Sequence, residues 1–596
     1  MFLQSNVDCV NVVADVTQVE IAPVDAPSEP ESLPGSEGVN RSERPWWRDA
    51  VVYQVYVRSF ADANGDGTGD LAGVRSQLSY LRDLGVDALW FNPWYPSPFA
   101  DNGYDIVDYR AIDPSFGTLG EAEQLIAEAR ELGIRTIVDV VPNHVSNEHP
   151  WFREALAAGP GSPERERFWF RPGRGDDGAT PPNGWQSIFG GSAWTRLEDG
   201  EWYLHLFAPE QPDLNWTHPD VWAEHEDVLR FWFDRGVAGV RIDSAALLVK
   251  DPELGEETPE PGPGEHPFMD RDELHEIYRG WRAIANSYDE ARVLVGEIWL
   301  PDAERLARYL RPDELHTAFN FDFLSCPWER PRLQASIESA LAVHAPVDAP
   351  TTWVISNHDV TRPVTRYGRD DTSFSFETKR AGTPTDLARG TRRARAAALL
   401  SMALPGSMYV YQGEELGLPE VEDIPADRRQ DPMWIRSGGV DPGRDGCRVP
   451  LPWAGDTPPY GFSGDGSGTP WLDQPADWAP LTVAAQSEDP ASMLNLYRAG
   501  LRLRRTAPWG ADAELRFIPS TDAVLAFARG EQFTCVVNFG PDPVELPPGA
   551  DVLISSNDLE GGALPLDTTA WLRQPSDHAP SFAPPGTQDR TGKEGR

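Results

Sequence analysis

The sequence predicts an α/β chain built on a (β/α)8 barrel, with a small domain inserted after the third strand and a C-terminal antiparallel β-sandwich. Three observations predict it. Short apolar runs recur eight times with helical stretches between them. The one long interruption, from His144 to about Trp216, follows the third run and is rich in aromatics. After about Gly510 the pattern turns to short alternating segments.

Residues 1–44 are acidic and rich in Pro, Ser and Glu, which reads as a disordered leader. The eight apolar runs occupy 51–60, 88–94, 136–142, 237–243, 293–299, 317–323, 352–356 and 407–412. Between the first two, Leu71, Val74, Leu78, Leu81 and Leu84 recur every three or four residues, predicting one amphipathic helix. Residues 251–267 mix Pro, Gly and Glu and read as a long exposed loop. The barrel is therefore expected over 45–144 and 217–505, the inserted domain over 145–216, and the β domain over 506–574. Its short alternating runs are 523–527, 533–537 and 552–554, and a disordered tail covers 575–596.

Composition narrows the function. The 596 residues carry 52 basic and 94 acidic side chains, a formal charge of −42. Such a field repels phosphate backbones and anionic membranes, so nucleic acid and membrane partners are not expected. No apolar run reaches the roughly 18 residues of a membrane span. Residues 1–40 lack a basic stretch followed by an apolar one, so no secretory signal is read and a cytoplasmic chain is expected. Cys9, Cys326, Cys447 and Cys535 are scattered without metal or redox spacing, and are expected to be free thiols. The 22 Trp and 24 Phe supply a large core.

In a barrel of this kind the chemistry sits where strands end and loops begin. The third run ends Asp139-Val-Val-Pro-Asn143-His144, the fourth reads Gly239-Val-Arg241-Ile-Asp243, the fifth Gly296-Glu297-Ile-Trp299, and the seventh Ser356-Asn357-His358-Asp359. Three carboxylates from three strand ends, one beside an arginine, would converge on a pocket. Paired carboxylates suit glycoside hydrolysis, one attacking the anomeric carbon and the other protonating the leaving oxygen.

These four motifs, in this order, resemble glycoside hydrolase family thirteen, the α-amylase superfamily, and within it the α-glucosidase and oligo-1,6-glucosidase branch. The resemblance covers about Pro45 to Gln574. It implies a retaining, exo-acting α-glucosidase. Asp243 would be the nucleophile, Glu297 the general acid and then base, and Asp359 the third carboxylate. Arg241 would keep Asp243 ionised. His144 and His358 would hydrogen-bond glucose hydroxyls. Asp101 and Tyr104, in Asp101-Asn-Gly-Tyr104-Asp, would wall the glucose site. Arg448, in Arg444-Asp-Gly-Cys-Arg448, is expected to pair with Asp101, with Arg444 as the other candidate. Tyr104, Phe207 and Trp299 are candidates for stacking on sugar faces. The expected partner is an oligosaccharide or α-glucoside, and the chain is expected to be a monomer or homodimer.

After the first strand, Asp62-Ala-Asn64-Gly-Asp66-Gly-Thr68-Gly-Asp70 places oxygens at alternate positions with glycines for sharp turns. That pattern suits a hard divalent cation, although the bidentate Glu of an EF-hand is missing. The loop resembles the structural calcium loop of the same branch, with Asp62, Asn64, Asp66, the Thr68 carbonyl and Asp70 as ligands and magnesium as the other candidate ion. Gln211-Pro-Asp-Leu-Asn215 resembles a fifth motif of the oligo-1,6-glucosidase group. Ser244, directly after the nucleophile, departs from the Val of α-1,6 enzymes and from the Ala or Thr of α-1,4 enzymes. Its small polar side chain favours α-1,4 links. A transglucosylase or isomerase such as trehalose synthase or sucrose isomerase, or an oligo-1,6-glucosidase, is the alternative, because each would share all three carboxylates.

Overall fold

The computed structural model describes residues 45–258, 261–376, 379–464, 468–506, 509, 513–574 and 582. The predicted leader, nearly all of the predicted tail and Cys9 lie outside the described residues. Eight parallel strands form one sheet: β1 Val51–Val55, β2 Ala88–Phe91, β3 Arg135–Val140, β4 Gly239–Ile242, β5 Val293–Gly296, β6 Thr317–Ala318, β7 Thr352–Val354 and β8 Ser407–Tyr411. Their spatial order is β7-β8-β1-β2-β3-β4-β5-β6. A single parallel bridge between Phe319 and Thr352 brings the two outer strands together and nearly closes the barrel.

Continuous apolar runs form these strands because both faces are covered. Val52, Trp90, Ile137, Val295, Val354 and Tyr409 fill the barrel interior. Their neighbours Val51, Leu89, Val138, Leu294, Trp353 and Val410 face the surrounding helices. Gly239 opens β4 where a Cβ would meet the Val293 side chain at 2.2 Å, so the close approach of β4 and β5 requires glycine there.

The strands are shorter than the apolar runs that predict them. The run 317–323 becomes a two-residue strand followed by a helix at Phe321–Ser325, which Asn320 caps by accepting from the Phe323 amide. Likewise the predicted first helix is two: Leu71–Ser76 and Leu78–Leu84, broken at Gln77 and ended by Gly85 in the left-handed conformation (φ 97°). The stretch after Asp251 is not a free loop, since Trp185 Nε1 donates to the Gly255 carbonyl at 2.8 Å and the Asn183 amide to Leu254 at 3.0 Å.

Between β3 and β4 a three-stranded antiparallel sheet forms from Phe170–Pro172, Glu201–Leu204 and Trp194–Arg196. It connects to the end of β3: an antiparallel bridge joins His144 to Asp213, whose amide donates to the Leu204 carbonyl of this sheet at 3.0 Å. At the other end of the chain, five antiparallel strands run in the order Leu515–Phe517, Val524–Arg529, Phe533–Asn538, Thr568–Arg573, Asp551–Ser555, beside a two-stranded sheet. The helix Leu387–Ala403 ties this sheet to the barrel, accepting from Trp571 Nε1 at the Leu399 carbonyl (3.1 Å). Cys326, Cys447 and Cys535 are buried free thiols.

Candidate active site

The ends of the third, fourth, fifth and seventh barrel strands deliver polar groups to a common point. Arg241, on β4 and 2% exposed, is the hub. Its Nη1 donates to Asp139 at 2.8 Å and to Asp243 at 2.7 Å, and Nη2 lies 2.7 Å from Glu297. Ser244 links the same two carboxyls: its hydroxyl donates to Asp243 at 3.0 Å and its amide to Glu297 at 2.9 Å. That amide points inward because Ser244 adopts a left-handed backbone (φ 46°), a conformation a non-glycine residue holds only when its surroundings compensate. Trp299 Nε1 donates to the other Glu297 oxygen at 3.1 Å.

Asp359 sits across the site under a different field. Arg448 donates to it at 2.9 Å, Arg444 at 3.1 Å, and His358 Nε2 lies 3.4 Å away. Burial pushes its carboxyl up, but His358, Arg444, Arg448 and Arg241 together overcome that and hold it well below the usual range. Glu297 has no such surplus. Burial raises it first, Arg241 opposes, and Asp243 and Asp359 raise it further, leaving it at about 7. For Asp243 burial also leads and Asp139 adds to it, while Arg241 and the Ser244 hydroxyl pull down, leaving about 6. The nucleophile candidate thus ionises before the acid candidate, which is the order the chemistry needs. Arg241 lowers Asp243 as expected, but burial outweighs it.

The remaining predicted residues join the same hydrogen-bonded cluster, with one reassignment. Tyr104 stacks on His358 (5.4 Å, 7° between planes), and its hydroxyl donates to Asp139 at 3.1 Å and lies 2.7 Å from His358 Nε2. Its polar end is therefore spent on positioning the floor. His144 is held beside Gln211 Nε2 at 2.9 Å, and burial with Lys250 nearby lowers it to about 3, so it is a neutral imidazole. Arg448, predicted to pair with Asp101, does not. Arg444 makes that pair, Nη2 to Asp101 at 2.6 Å, while Arg448 donates to the His358 carbonyl at 2.8 Å and to Asp359. The two arginines are one helical turn apart, around a short 3-10 segment at Asp445–Cys447, and the turn aims Arg444 across the pocket toward Asp101.

A cavity of about 550 Å³ opens on Glu297, Asp359, Ser244 and Arg444, with Phe207 and Trp299 in its wall. A concave site beside paired strand-end carboxyls suits acetal hydrolysis. The family model for the alpha amylase catalytic domain matches residues 54–512. The chain belongs to the α-amylase family. A probable alpha-glucosidase from Rhizobium meliloti (strain 1021) is 37% identical over 535 residues, covering 85% of this chain and 92% of the relative. An oligo-1,6-glucosidase from Parageobacillus thermoglucosidasius is 35% identical over 498 residues, covering 78% and 84%. The crystal structure of an alpha-glucosyl transfer enzyme superposes with a TM-score of 0.77 at 34% identity, covering 89% of this chain and 99% of that one. This α-amylase-family protein is accordingly a glycoside hydrolase of the glucosidase type.

Sequence reasoning missed several members of this family site. Asp431 is buried and accepts from Arg444 Nε at 2.6 Å, yet it lies in the irregular stretch after β8, where no periodicity marks it. Lys250 is buried with Asp213 at 2.8 Å and Asn143 at 2.5 Å, tying the end of β3 to the Gln211-Pro-Asp-Leu-Asn215 segment. The rarity of lysine in the chain was the available signal. Gln54 and Asn92, hydrogen-bonded at 2.9 Å, support His358 and Tyr104 from below.

The 62–70 loop closes on itself. Asp62 accepts from the Gly65 and Gly67 amides at 2.7 and 2.8 Å, Asn64 from Asp66 at 2.9 Å, and Asp66 from Thr68 at 2.8 Å. Asp70 caps a helix by accepting from Gly73 at 2.6 Å. Gly67 (φ 95°) could not carry a side chain, since a Cβ would meet the Thr469 carbonyl at 2.1 Å. Among the described residues no group of three or more His, Cys, Asp or Glu is placed to hold a metal ion. The donor set is nonetheless all oxygen, the chemistry of a hard cation, and turn bonds to backbone amides leave further lone pairs on these oxygens. No described helix is long and apolar enough to cross a membrane.

Proposed function

We propose that this protein is a retaining, exo-acting α-glucosidase that releases terminal glucose from short oligosaccharides or α-glucosides, with α-1,4 links preferred. One observation carries the reading: Asp243 and Glu297 bond to adjacent nitrogens of a single guanidinium and to the amide and hydroxyl of one serine. That closeness suits the roughly 5–5.5 Å separation of a retaining pair rather than the wider gap that holds a water. Asp243 attacks C1 as Glu297 protonates the departing oxygen; a water then attacks C1, Glu297 takes its proton, and Asp243 leaves. Asp359, kept anionic by its arginines, steadies the sugar and the positive charge on it. Arg444 with Asp101 closes the far end of the glucose site, which favours chain ends over polymer interiors. Ser244 in the cavity wall supports the α-1,4 preference through its small size.

The test is NMR product analysis on maltose, isomaltose, sucrose and trehalose, beside Asp243→Asn. Release of α-glucose from maltose, absent in the variant, supports the reading. Faster isomaltose cleavage overturns the α-1,4 preference. New disaccharide with little free glucose favours the transferase reading, to which the structural likeness to an alpha-glucosyl transfer enzyme lends support. In the same proposal Asp62, Asn64, Asp66, the Thr68 carbonyl and Asp70 hold a structural calcium, with magnesium as the alternative.

A further inference from the structure

Away from the catalytic groups, another cavity of about 480 Å³ opens at the bottom of the barrel. Arg135 opens β3 and Arg292 immediately precedes β5, so this cavity sits at the opposite ends of the strands from Asp243 and Glu297. Trp46, Ile126 and Ala238 give it apolar walls. Its charged side chains are Arg130, Arg135, Arg292 and Glu290, three cations against one anion. The lining is therefore positive by two charges in a chain whose formal charge is −42.

These charges are unequally engaged. Glu290 serves two arginines at once: it pairs with Arg130, and Arg292 Nη1 lies 3.5 Å away. Arg135 forms no ion pair and no side-chain hydrogen bond among the described residues; its guanidinium lies over the Trp46 ring, 4.9 Å from the centroid. That indole is fixed in turn, because its Nε1 donates to the Ala291 carbonyl at 3.3 Å. Two buried donors on residues of the inner wall, the Thr136 hydroxyl and Arg292 Nε, have no hydrogen-bond partner. An unpaired buried hydroxyl is costly, and rotation about the Thr136 χ1 bond would turn it toward a ligand.

We propose that this cavity binds a small organic oxyanion, its phosphate or carboxylate head between Arg135 and Arg292 and a flat apolar body against Trp46 and Ile126. Guanidinium forks hold such heads through paired, charge-assisted hydrogen bonds. The volume falls in the range of small-ligand sites. Elsewhere the field of so acidic a chain repels anions, which confines the binding to one place. The bottom face of a barrel bears on stability rather than chemistry, so the ligand stabilises the fold and leaves turnover unchanged. Nothing in this site depends on the glucosidase reading above.

The test is calorimetric titration of the full chain with phenyl phosphate, benzoate and inorganic phosphate at fixed ionic strength, with thermal unfolding and glucose release followed alongside. One phenyl phosphate should bind per chain, about tenfold tighter than inorganic phosphate because the ring adds apolar burial. Tm should rise with its concentration and level off, and kcat/KM for maltose should not change. Benzoate separates the two heads: binding by either aromatic anion supports the site, and the tighter one names its head group. Arg135 is exposed, so Arg135→Gln should fold, and it should weaken binding about tenfold or more. Trp46→Leu should erase the advantage of the ring over inorganic phosphate. No saturable binding of either aromatic anion, equal binding by wild type and Arg135→Gln, or competitive inhibition of glucose release, which would put the ligand in the catalytic pocket, each overturns the proposal.

Discussion

Lysine in place of Arg444 is expected to lower kcat/KM for α-glucosides about 100-fold in a protein that still folds. The guanidinium spans three carboxylates: Asp101 at 2.6 Å, Asp359 at 3.1 Å and Asp431 at 2.6 Å. A single ammonium cannot span all three, because it lacks the planar fork. If it stays on Asp431, which is fully buried, two charge-assisted hydrogen bonds to the glucose site are lost. Each is worth roughly 1.5–3 kcal/mol, and the lower figure gives about 3 kcal/mol, or two powers of ten. Burial already raises Asp101, and Arg444 is the first charge holding it down, so its carboxyl should rise further in the variant. The assay is steady-state glucose release, with thermal unfolding confirming the fold. Arg448→Lys, which leaves the Asp101 pair untouched, should act on kcat through Asp359 and spare KM. A folded Arg444→Lys protein within threefold of wild type would refute the closing role given to this residue.

The pH profile should be a narrow bell. Activity needs Asp243 ionised and Glu297 protonated, so kcat/KM should rise through about 6 and fall through about 7; a plateau between about pH 5 and 9 would count against the assignment. Glu414, buried between the hydroxyls of Ser356 and Tyr497, is pushed up to about 7 by burial. Its folded value lies above its unfolded one, so it favours the fold at low pH and that support is lost as pH rises through about 7. Glu414→Gln should therefore narrow the gap in unfolding stability between about pH 5 and 8, by on the order of 3 kcal/mol; an unchanged gap would show that Glu414 is not the group responsible. If calcium occupies the 62–70 loop, chelation should lower Tm and added calcium restore it, while Asp62→Asn should abolish the response. Indifference of wild type to chelator would remove the metal from the account.

The fold and the catalytic trio were legible because residue identity and position coincide there. Asp243, Glu297 and Asp359 each follow an apolar strand by one to five residues, and strand ends are where a barrel exposes its side chains. Strand lengths were not legible, because apolar residues continue past the last ladder pairing into turns and short helices, as at Phe321–Ser325. The break at Gln77 was hidden by a helical period that runs through it. The choice between Arg444 and Arg448 depends on how one short turn sits against Asp101, 343 positions away in sequence, and no local pattern encodes that. Asp431 escaped because its irregular stretch carries no periodicity, although its partner Arg444 is near in sequence, and Lys250 because Asp213 and Asn143 lie on other segments.

The central claim is that Asp243 becomes covalently bonded to glucose. Wild-type enzyme and Glu297→Gln, whose missing base slows hydrolysis of the intermediate, would be incubated with an activated fluorinated α-glucoside, digested, and mapped by mass spectrometry. The account predicts a single glucosylated peptide with the modification on Asp243. Modification of Asp359 or Asp139, or unlabelled protein accompanied by β-glucose as the first product, would contradict it.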